Sequence, residues 1–363
     1  MTKREQQIID AINENPLISQ HQLADQLNIS RSAVASHITN LTAKGVIEGR
    51  GYVIAPEKFC VAIGGANMDI LGTPTQSISA MSSNPGVVST SAGGVARNIA
   101  ENIARLGNKC YLIAPVGDDN YGRQLIEQSH SAGIDTSQIL TIDGQSTSSY
   151  LSIVDDNGEM QLAIADMNIL NHMLPALLKR QMPLLKRAQT IVLDTNIDEK
   201  LLSYLFDNLP QARFFVDTVS IAKASKILPY LAKVHCLKPN LLEAQALSGM
   251  QIDDYSQLPK LAQWFHQQGV KQLYISLGED GLFFSDQNQS KQVQMPAKAV
   301  SNSNGAGDAL SAALVHCQLS NLPIEESAYF ALAAANCAIT STQTINPDFS
   351  LTSINKILEE AQC

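Results

Sequence analysis

Ser301-Asn302-Ser303-Asn304-Gly305-Ala306-Gly307-Asp308-Ala309-Leu310 is the stretch with the strongest chemical character in this chain. Gly305 and Gly307 flank Ala306 and let the backbone turn sharply, so that successive N–H groups point into one concavity. Ala309, Ala312, Ala313, Leu314 and Cys317 follow on helical spacing, which predicts a helix starting at or beside Asp308. Amides at the positive end of a helix dipole make a site for anionic phosphate oxygens. Asp308 is the only ionisable side chain between Ala299 and Val315. A carboxylate beside an anion hole suits phosphoryl transfer: it accepts a proton from an attacking hydroxyl while the amides steady the transferred group. The plainer alternative is a turn in which Asp308 merely caps the helix.

Other stretches could serve the same chemistry. Ser91-Ala92-Gly93-Gly94-Val95-Ala96-Arg97-Asn98 leads into a predicted helix with Ile99, Ile103 and Leu106 on one face. The apolar run Phe59–Ile63 reads as a buried strand that ends in Gly64-Gly65-Ala66-Asn67-Met68-Asp69. Ligand groups in α/β sheets gather at such strand ends.

Asn304-Gly305-Ala306-Gly307-Asp308-Ala309 resembles the C-terminal signature of the ribokinase-like (phosphofructokinase-B) family of sugar and nucleoside kinases. Gly93-Gly94, with Asn98 four residues after the second glycine, is similar to that family's N-terminal signature, and the resemblance runs from about Phe59 to the C-terminus. It implies a ribokinase-like three-layer α/β/α sandwich with a small β lid, using ATP and Mg2+. It makes Asp308 the catalytic base and Gly305, Ala306 and Gly307 the anion hole. Asn67, Asp69, Gly93, Gly94 and Asn98 become substrate ligands, joined from the lid by Ser149 and Asn168, with Thr147 and Asp166 as further lid candidates. Asn240 and Glu243 resemble the Asn-x-x-Glu element that arranges magnesium through water. Ser276, Gly278 and Gly281 resemble the nucleotide-side loop, and Asn336 is placed near adenine. Arg97 is expected to be a solvent or lid-side charge.

Ser83-Asn84-Pro85-Gly86, Thr147 to Ser152, Ala165-Asp166-Met167-Asn168 and Asn346-Pro347-Asp348 look like the pseudouridine kinase branch, in which a nucleoside 5′-hydroxyl is phosphorylated. Other nucleosides or sugars (inosine, uridine, ribose) stay open as substrates. So does a transcription regulator that uses the kinase fold as a ligand sensor. Asn302 stands where ribokinase has an Asp linked to monovalent-cation activation, so potassium dependence is also open.

The elements needed to position these groups are legible. Strands are predicted at Lys109–Val116, Thr190–Leu193, Arg213–Val216, His235–Leu237, Gln272–Ser276 and Gly281–Phe284, with helical stretches between, as in a mainly parallel sheet covered on both faces. Gln292–Val300 reads as extended, Tyr121–Ala132 as a helix and Ala331–Thr340 as a small-residue helix. Ser148–Val154 and Met160–Ala165 alternate about Asp156-Asn157-Gly158 as a hairpin, so lid segments are expected at about 70–92 and 147–168.

Residues 1–56 read as a separate domain before a kinase domain at 57–363. Helices are predicted over residues 3–14, Gln20–Leu27 and Arg31–Lys44, capped in the last two by Ser19 and Ser30. A small hairpin wing over Gly45–Val53 completes a resemblance to a winged helix-turn-helix, whose second helix would place Arg31, Ser32, Ser36, His37 and Asn40 toward DNA, with Arg50 on the wing. Six basic residues up to Lys58 (Lys3, Arg4, Arg31, Lys44, Arg50, Lys58) balance six acidic ones (Glu5, Asp10, Glu14, Asp25, Glu48, Glu57), so the net charge of −9 sits on the remainder. A domain without positive charge needs a dimer presenting two helices to bind DNA usefully, and a homodimer is expected. No apolar run approaches the roughly 20 residues that span a bilayer, and no apolar signal core follows Met1. The six cysteines form no Cys-x-x-Cys pair, which suits a reduced cytoplasm and no structural zinc.

Overall fold

The computed structural model describes residues 1–44, 46–47, 58–156, 159–296 and 298–362. The chain divides into two compact units, Met1–Glu57 and Lys58–Cys363. In the first, three helices run over Lys3–Glu14 (α1), Gln20–Leu27 (α2) and Arg31–Ala43 (α3). Thr2 with Glu5, and Ser19 with Gln22, form reciprocal capping boxes, and Ser30 caps α3 by accepting from Ala33 N–H. Ile8, Ile12, Leu23, Val34 and Leu41 close a small core with essentially no exposure. Lys44, just past α3, reaches back to pair with buried Glu5 at 2.7 Å. Most of the expected wing, including Arg50, lies outside the described residues.

In the second unit the strands are β1 (Phe59–Ile63), β2 (Asn67–Pro74), β3 (Gly86–Gly93), β4 (Lys109–Ile113), β5 (Pro115–Gly117), β6 (Leu140–Ile142), β7 (Ser149–Val154) and β8 (Met160–Asp166). They continue as β9 (Thr190–Asp194), β10 (Phe214–Asp217), β11 (Val234–Lys238), β12 (Gln272–Ser276), β13 (Leu282–Ser285) and β14 (Ser290–Val293). The central eight-stranded sheet has the order β14-β13-β12-β11-β10-β9-β1-β4. It is parallel from β4 to β12 and antiparallel at the β13 and β14 edge.

Successive strand residues point to opposite faces, and both faces are apolar. Cys60, Ala62, Val192 and Phe215 face one core while Val61, Ile63, Ile191, Leu193 and Val216 face the other. Helices α4 (Val95–Arg105), α5 (Asn120–Ser131), α6 (Met182–Leu185), α7 (Glu199–Asn208), α8 (Ile221–Ala224), α9 (Leu241–Ser248), α10 (Leu258–Gln267), α11 (Ala306–Ser320), α12 (Ile324–Ala338) and α13 (Leu351–Gln362) follow in chain order. Helices α4, α11 and α12 cover the first face, and α7 and α10 the second. Among the described residues no helix is long and apolar enough to cross a membrane.

A separate four-stranded sheet, in the order β3-β2-β7-β8, occupies the segments expected for a lid. The predicted hairpin turn at 157–158 is outside the described residues. Helix α5 ties down both roots of this sheet. Asp119, its N-cap, accepts from Thr147 N–H and Oγ1 at 2.8 and 2.7 Å, and Gln128 accepts from Ala92 N–H at 3.1 Å.

Several expectations need correction. The strand predicted over Lys109–Val116 splits at Ala114, because Pro115 has no N–H to continue the ladder; β5 turns away to pair with β6. Among the described residues from Val293 to Ser301 the approach is not strand after Val293, and the helix predicted over Ala331–Thr340 is α12, which begins at Ile324 directly after Pro323. Thr147 is buried and its hydroxyl bonds Asp119 while accepting from Gly117 N–H, so it anchors the lid root and is not free to touch a ligand. Arg97 is no solvent charge: it is 4% exposed, pairs with Glu101 at 2.5 Å, and donates to Ala92 O, Ser129 Oγ and Asn98 Oδ1.

Glu101 also takes Arg105, at 2.8 Å, so one buried carboxylate pairs with two guanidiniums. Replacing Glu101 by Ala leaves Arg97 buried without its paired carboxylate, and a loss of roughly 3–5 kcal/mol in urea unfolding is expected. A loss below about 1 kcal/mol would show that the guanidinium is not held by Glu101 in this way.

Candidate active site

Asp308 lies in the first turn of α11, whose N-cap is Gly305 and not Asp308 itself. Gly305 adopts φ +80°, and a Cβ there would lie 2.1 Å from Thr344 O, so the turn admits glycine alone. The Asp308 carboxyl is therefore left free of capping and faces inward. Asn98 Nδ2 donates to Asp308 Oδ2 at 2.9 Å, joining the two glycine-rich stretches 210 residues apart. Burial, reinforced by the negative charge of Asp217, pushes the Asp308 carboxyl up to about 7, against the opposing pulls of Asn98 and Lys238.

Near the start of α4 a second cluster forms. Asn67 is buried on β2 and donates to Asp69 Oδ1 at 2.6 Å. A Cβ on Gly93 would sit 2.2 Å from Asp69 Oδ2, so the missing side chain makes the room that this carboxylate occupies. Burial raises the Asp69 carboxyl, with Asn67 and the Arg97 guanidinium opposing it. Gly94 is the N-cap of α4, and Asn98 follows in its first turns.

A cleft of about 460 Å3 gathers Asn240, Ser276, Gly278, Gly281 and Asn336 beside Ala306 and Gly307 of the glycine-rich turn. Met295, Val300, Leu310, Leu332 and Ile339 supply apolar walls. Asn336 is held by a 3.3 Å bond to Pro296 O. Asn240 caps α9 and forms a capping box with Glu243, which does not itself line the cleft. Glu243 Oε2 accepts from Asn240 N–H and Thr218 Oγ1, whereas Oε1 accepts only Asn240 Nδ2. Among the described residues no group of three or more His, Cys, Asp or Glu side chains forms a metal cluster.

Three groups of this site were missed in the sequence. Asp194, fully buried at the end of β9, accepts from Gly65 N–H and Ala96 N–H through Oδ2 and from Asn196 N–H through Oδ1. It thereby clamps the β1 turn to the start of α4. Asp217 and Lys238 end the neighbouring strands β10 and β11 and pair at 2.8 Å. Their signal in the sequence is a charge directly after an apolar strand, which a search for glycine motifs passes over. The lid candidates are gathered less tightly. Ser149 is half-buried beside Met68 in the sheet, while Asn168 is exposed and bonds its neighbour Asp166. In the first unit Arg31, Ser32, Ser36 and Asn40 are exposed along α3, and His37 is half-buried.

Comparison with known proteins bears on all of this. Residues 57–350 match the family model described as pfkB family carbohydrate kinase, and residues 1–48 match a winged helix-turn-helix DNA-binding model. The chain is 40% identical over 306 residues to the pseudouridine kinase of Escherichia coli K12, covering 84% of this chain and 98% of that one. It is 38% identical over 351 residues to an uncharacterized sugar kinase of the same organism, YeiI, covering 96% and 97%. The fold is shared with the solved structure of Arabidopsis thaliana ribokinase complexed with ribose and ATP, at a TM-score of 0.75 and 22% identity, covering 84% of this chain and 99% of that one. The ribokinase-like architecture, the Asn98–Asp308 junction and these matches together place the chain in the pfkB family of carbohydrate kinases, phosphotransferases with an alcohol acceptor, carrying a winged helix-turn-helix at its N-terminus.

Proposed function

We propose that this protein transfers the γ-phosphoryl group of ATP to the 5′-hydroxyl of pseudouridine. The observation that carries the reading is the 2.9 Å bond between Asn98 and Asp308, which brings the substrate-side glycine stretch to the carboxyl beside the Gly305-Ala306-Gly307 amides. Asp308 takes the hydroxyl proton, and the amides receive the charge that develops on the transferred group. Asp69, Asn67 and Asn98 hold the sugar, with Gly93 and Gly94 allowing its close approach and Ser149 and Asn168 covering it from the lid. The apolar cleft walls and the glycines at 278 and 281 suit a flat adenine, with Asn336 and Ser276 at its polar edge.

Magnesium fits this donor set only as an ion carried largely by phosphates and water, as the ion prefers. Glu243 Oε1 retains acceptor capacity, and Asn240 lines the cleft, so these two would hold its waters. Bound there, the ion would offset phosphate charge. Asn302 donates to Thr342 O and accepts from Asn304 N–H, a neutral cross-link of the two loops. A second copy of the chain is the proposed cover for the lid-sheet face that carries Val88, Leu162 and Ile164, which are 54–71% exposed.

A panel of pseudouridine, uridine, inosine and ribose with ATP and magnesium, read by product mass, tests the substrate. Pseudouridine carries a ring N–H that uridine lacks, and a site built to pair it discriminates strongly. The highest kcat/KM is expected for pseudouridine; equal or better values for inosine or ribose overturn that choice and spare the kinase.

Asp308→Asn is expected to lower turnover by about 10²–10⁴-fold with nucleoside binding nearly intact. The active form of the base is the carboxylate, so wild-type turnover should rise with pH through the region near 7 to which the group is raised. If the variant retains more than about a tenth of wild-type turnover, Asp308 is not the base.

A second activity is favoured by the exposed polar row Arg31, Ser32, Ser36 and Asn40 on α3: binding to DNA upstream of nucleoside-catabolism genes, responsive to the nucleoside. Because Lys44 is engaged by Glu5, little free positive charge supports it, so few phosphates are neutralised, and binding should require a dimer and depend only shallowly on salt. Gel retardation by the intact chain, absent for a chain lacking residues 1–56, is the expected result; no retardation at micromolar protein leaves residues 1–56 as an assembly module.

A further inference from the structure

We propose that the buried Asp217–Lys238 pair, braced by Ser311, sets the proton affinity of Asp308, so that Asp217 and Lys238 are positioning residues of opposite sign. The inference rests on the reading of Asp308 as the base.

The geometry concentrates three elements on one carboxylate. Asp217 Oδ2, at the end of β10, accepts from Lys238 Nζ at the end of β11 and from Ser311 Oγ on α11, each at 2.8 Å. Ser311 lies one turn beyond Asp308, so the helix that carries the base is pinned to the pair. The side chains of Lys238 and Asp217 are 8% and 5% exposed, leaving little water to screen them. Lys238 Nζ stands 3.4 Å from the point a Gly307 Cβ would occupy, directly beside the glycine-rich turn. The groups facing Asp308 are thus Asn98 from α4, Asp194 from β9, Asp217 from β10 and Lys238 from β11, while Glu243 of α9 faces Lys238.

A buried charge pair gives a scaffold little net stability, since desolvation opposes the attraction, and its retention here has a functional reading. Asp217 holds the ammonium in place and by its own charge favours the protonated Asp308. Lys238 favours the carboxylate. The two effects have opposite signs, and they act on a carboxyl that burial has already raised.

The test is the acid limb of the kcat–pH profile, measured on the full chain with ATP, magnesium and whichever acceptor of the substrate panel is turned over. Lys238→Met should move the limb upward by about one pH unit, and Asp217→Asn should move it downward by a similar amount. Lys238→Arg keeps the charge and should restore the wild-type limb. Thermal melting establishes that each variant is folded. Should Lys238→Met not fold, Asp217→Asn decides alone, because it preserves shape and still offers an oxygen to Lys238 and Ser311. Limbs that stay in place, or that move in the same direction, overturn the proposal and leave the pair a scaffold. Asp308→Asn separates the two levels: retained turnover removes the base itself, whereas lost turnover with immobile limbs removes only this inference.

Discussion

Desolvation of charge at the carboxyl ends of the central strands is the constraint on which the rest of this structure depends. Asp194, Asp217 and Lys238 end three adjacent strands, and Asp308 is brought against them by α11. Each buried charge has to be met by a specific donor or counter-charge. Asp194 takes three backbone N–H groups and so dictates the turn after β1 and the start of α4. Asp217 takes Lys238 and Ser311 and so fixes the angle of α11. Asp308 alone is left with a single side-chain donor, Asn98, and it is the carboxyl raised to about 7. Burial raises Asp194 as well, and what distinguishes Asp308 is its place in the first turn of α11, beside the glycine-rich turn.

The lid is attached to this rigid base by a different device. Its sheet grows from β2, which follows the Gly64-Gly65 turn, and from β7, which follows Thr147. Both roots are hydrogen-bonded to α5, through Asp119 at its N-terminus and Gln128 two turns later. The outer strands β3 and β8 are exposed along most of their length, so the root of the sheet is fixed while its outer strands stay open. Arg97 ties the same region together from below, bonding Ala92, Ser129 and Asn98 at once.

Among the described residues the N-terminal unit has its own core of eleven buried apolar side chains and three well-capped helices. Its electrostatics are economical: Lys44, which ends α3, is tied to Glu5. The residues left outward on α3 are mostly neutral hydrogen-bonding groups, which suit reading base edges better than non-specific attraction to phosphate.

Local pattern was enough to reveal much of this protein. The glycines at 305 and 307, the helix after Asp308, the alternating strands at β9 to β12 and the serine caps of α2 and α3 are all consequences of neighbouring residues, because turns, caps and periodicity are set within a few positions. Ser276, Gly278 and Gly281, which line one cleft, stand out in the sequence because glycines mark their turn. What sequence could not supply was the identity of partners across the fold. Arg97 and Thr147 have the composition of surface or ligand-facing residues, yet Glu101 and Asp119 draw them inward. Asp194, Asp217 and Lys238 look like ordinary strand-end charges until register sets β9, β10 and β11 side by side. Proton affinity depends on every charge within a few ångströms regardless of separation along the chain, so only the tertiary structure decided that Asp308 faces one ammonium, two carboxylates and one amide.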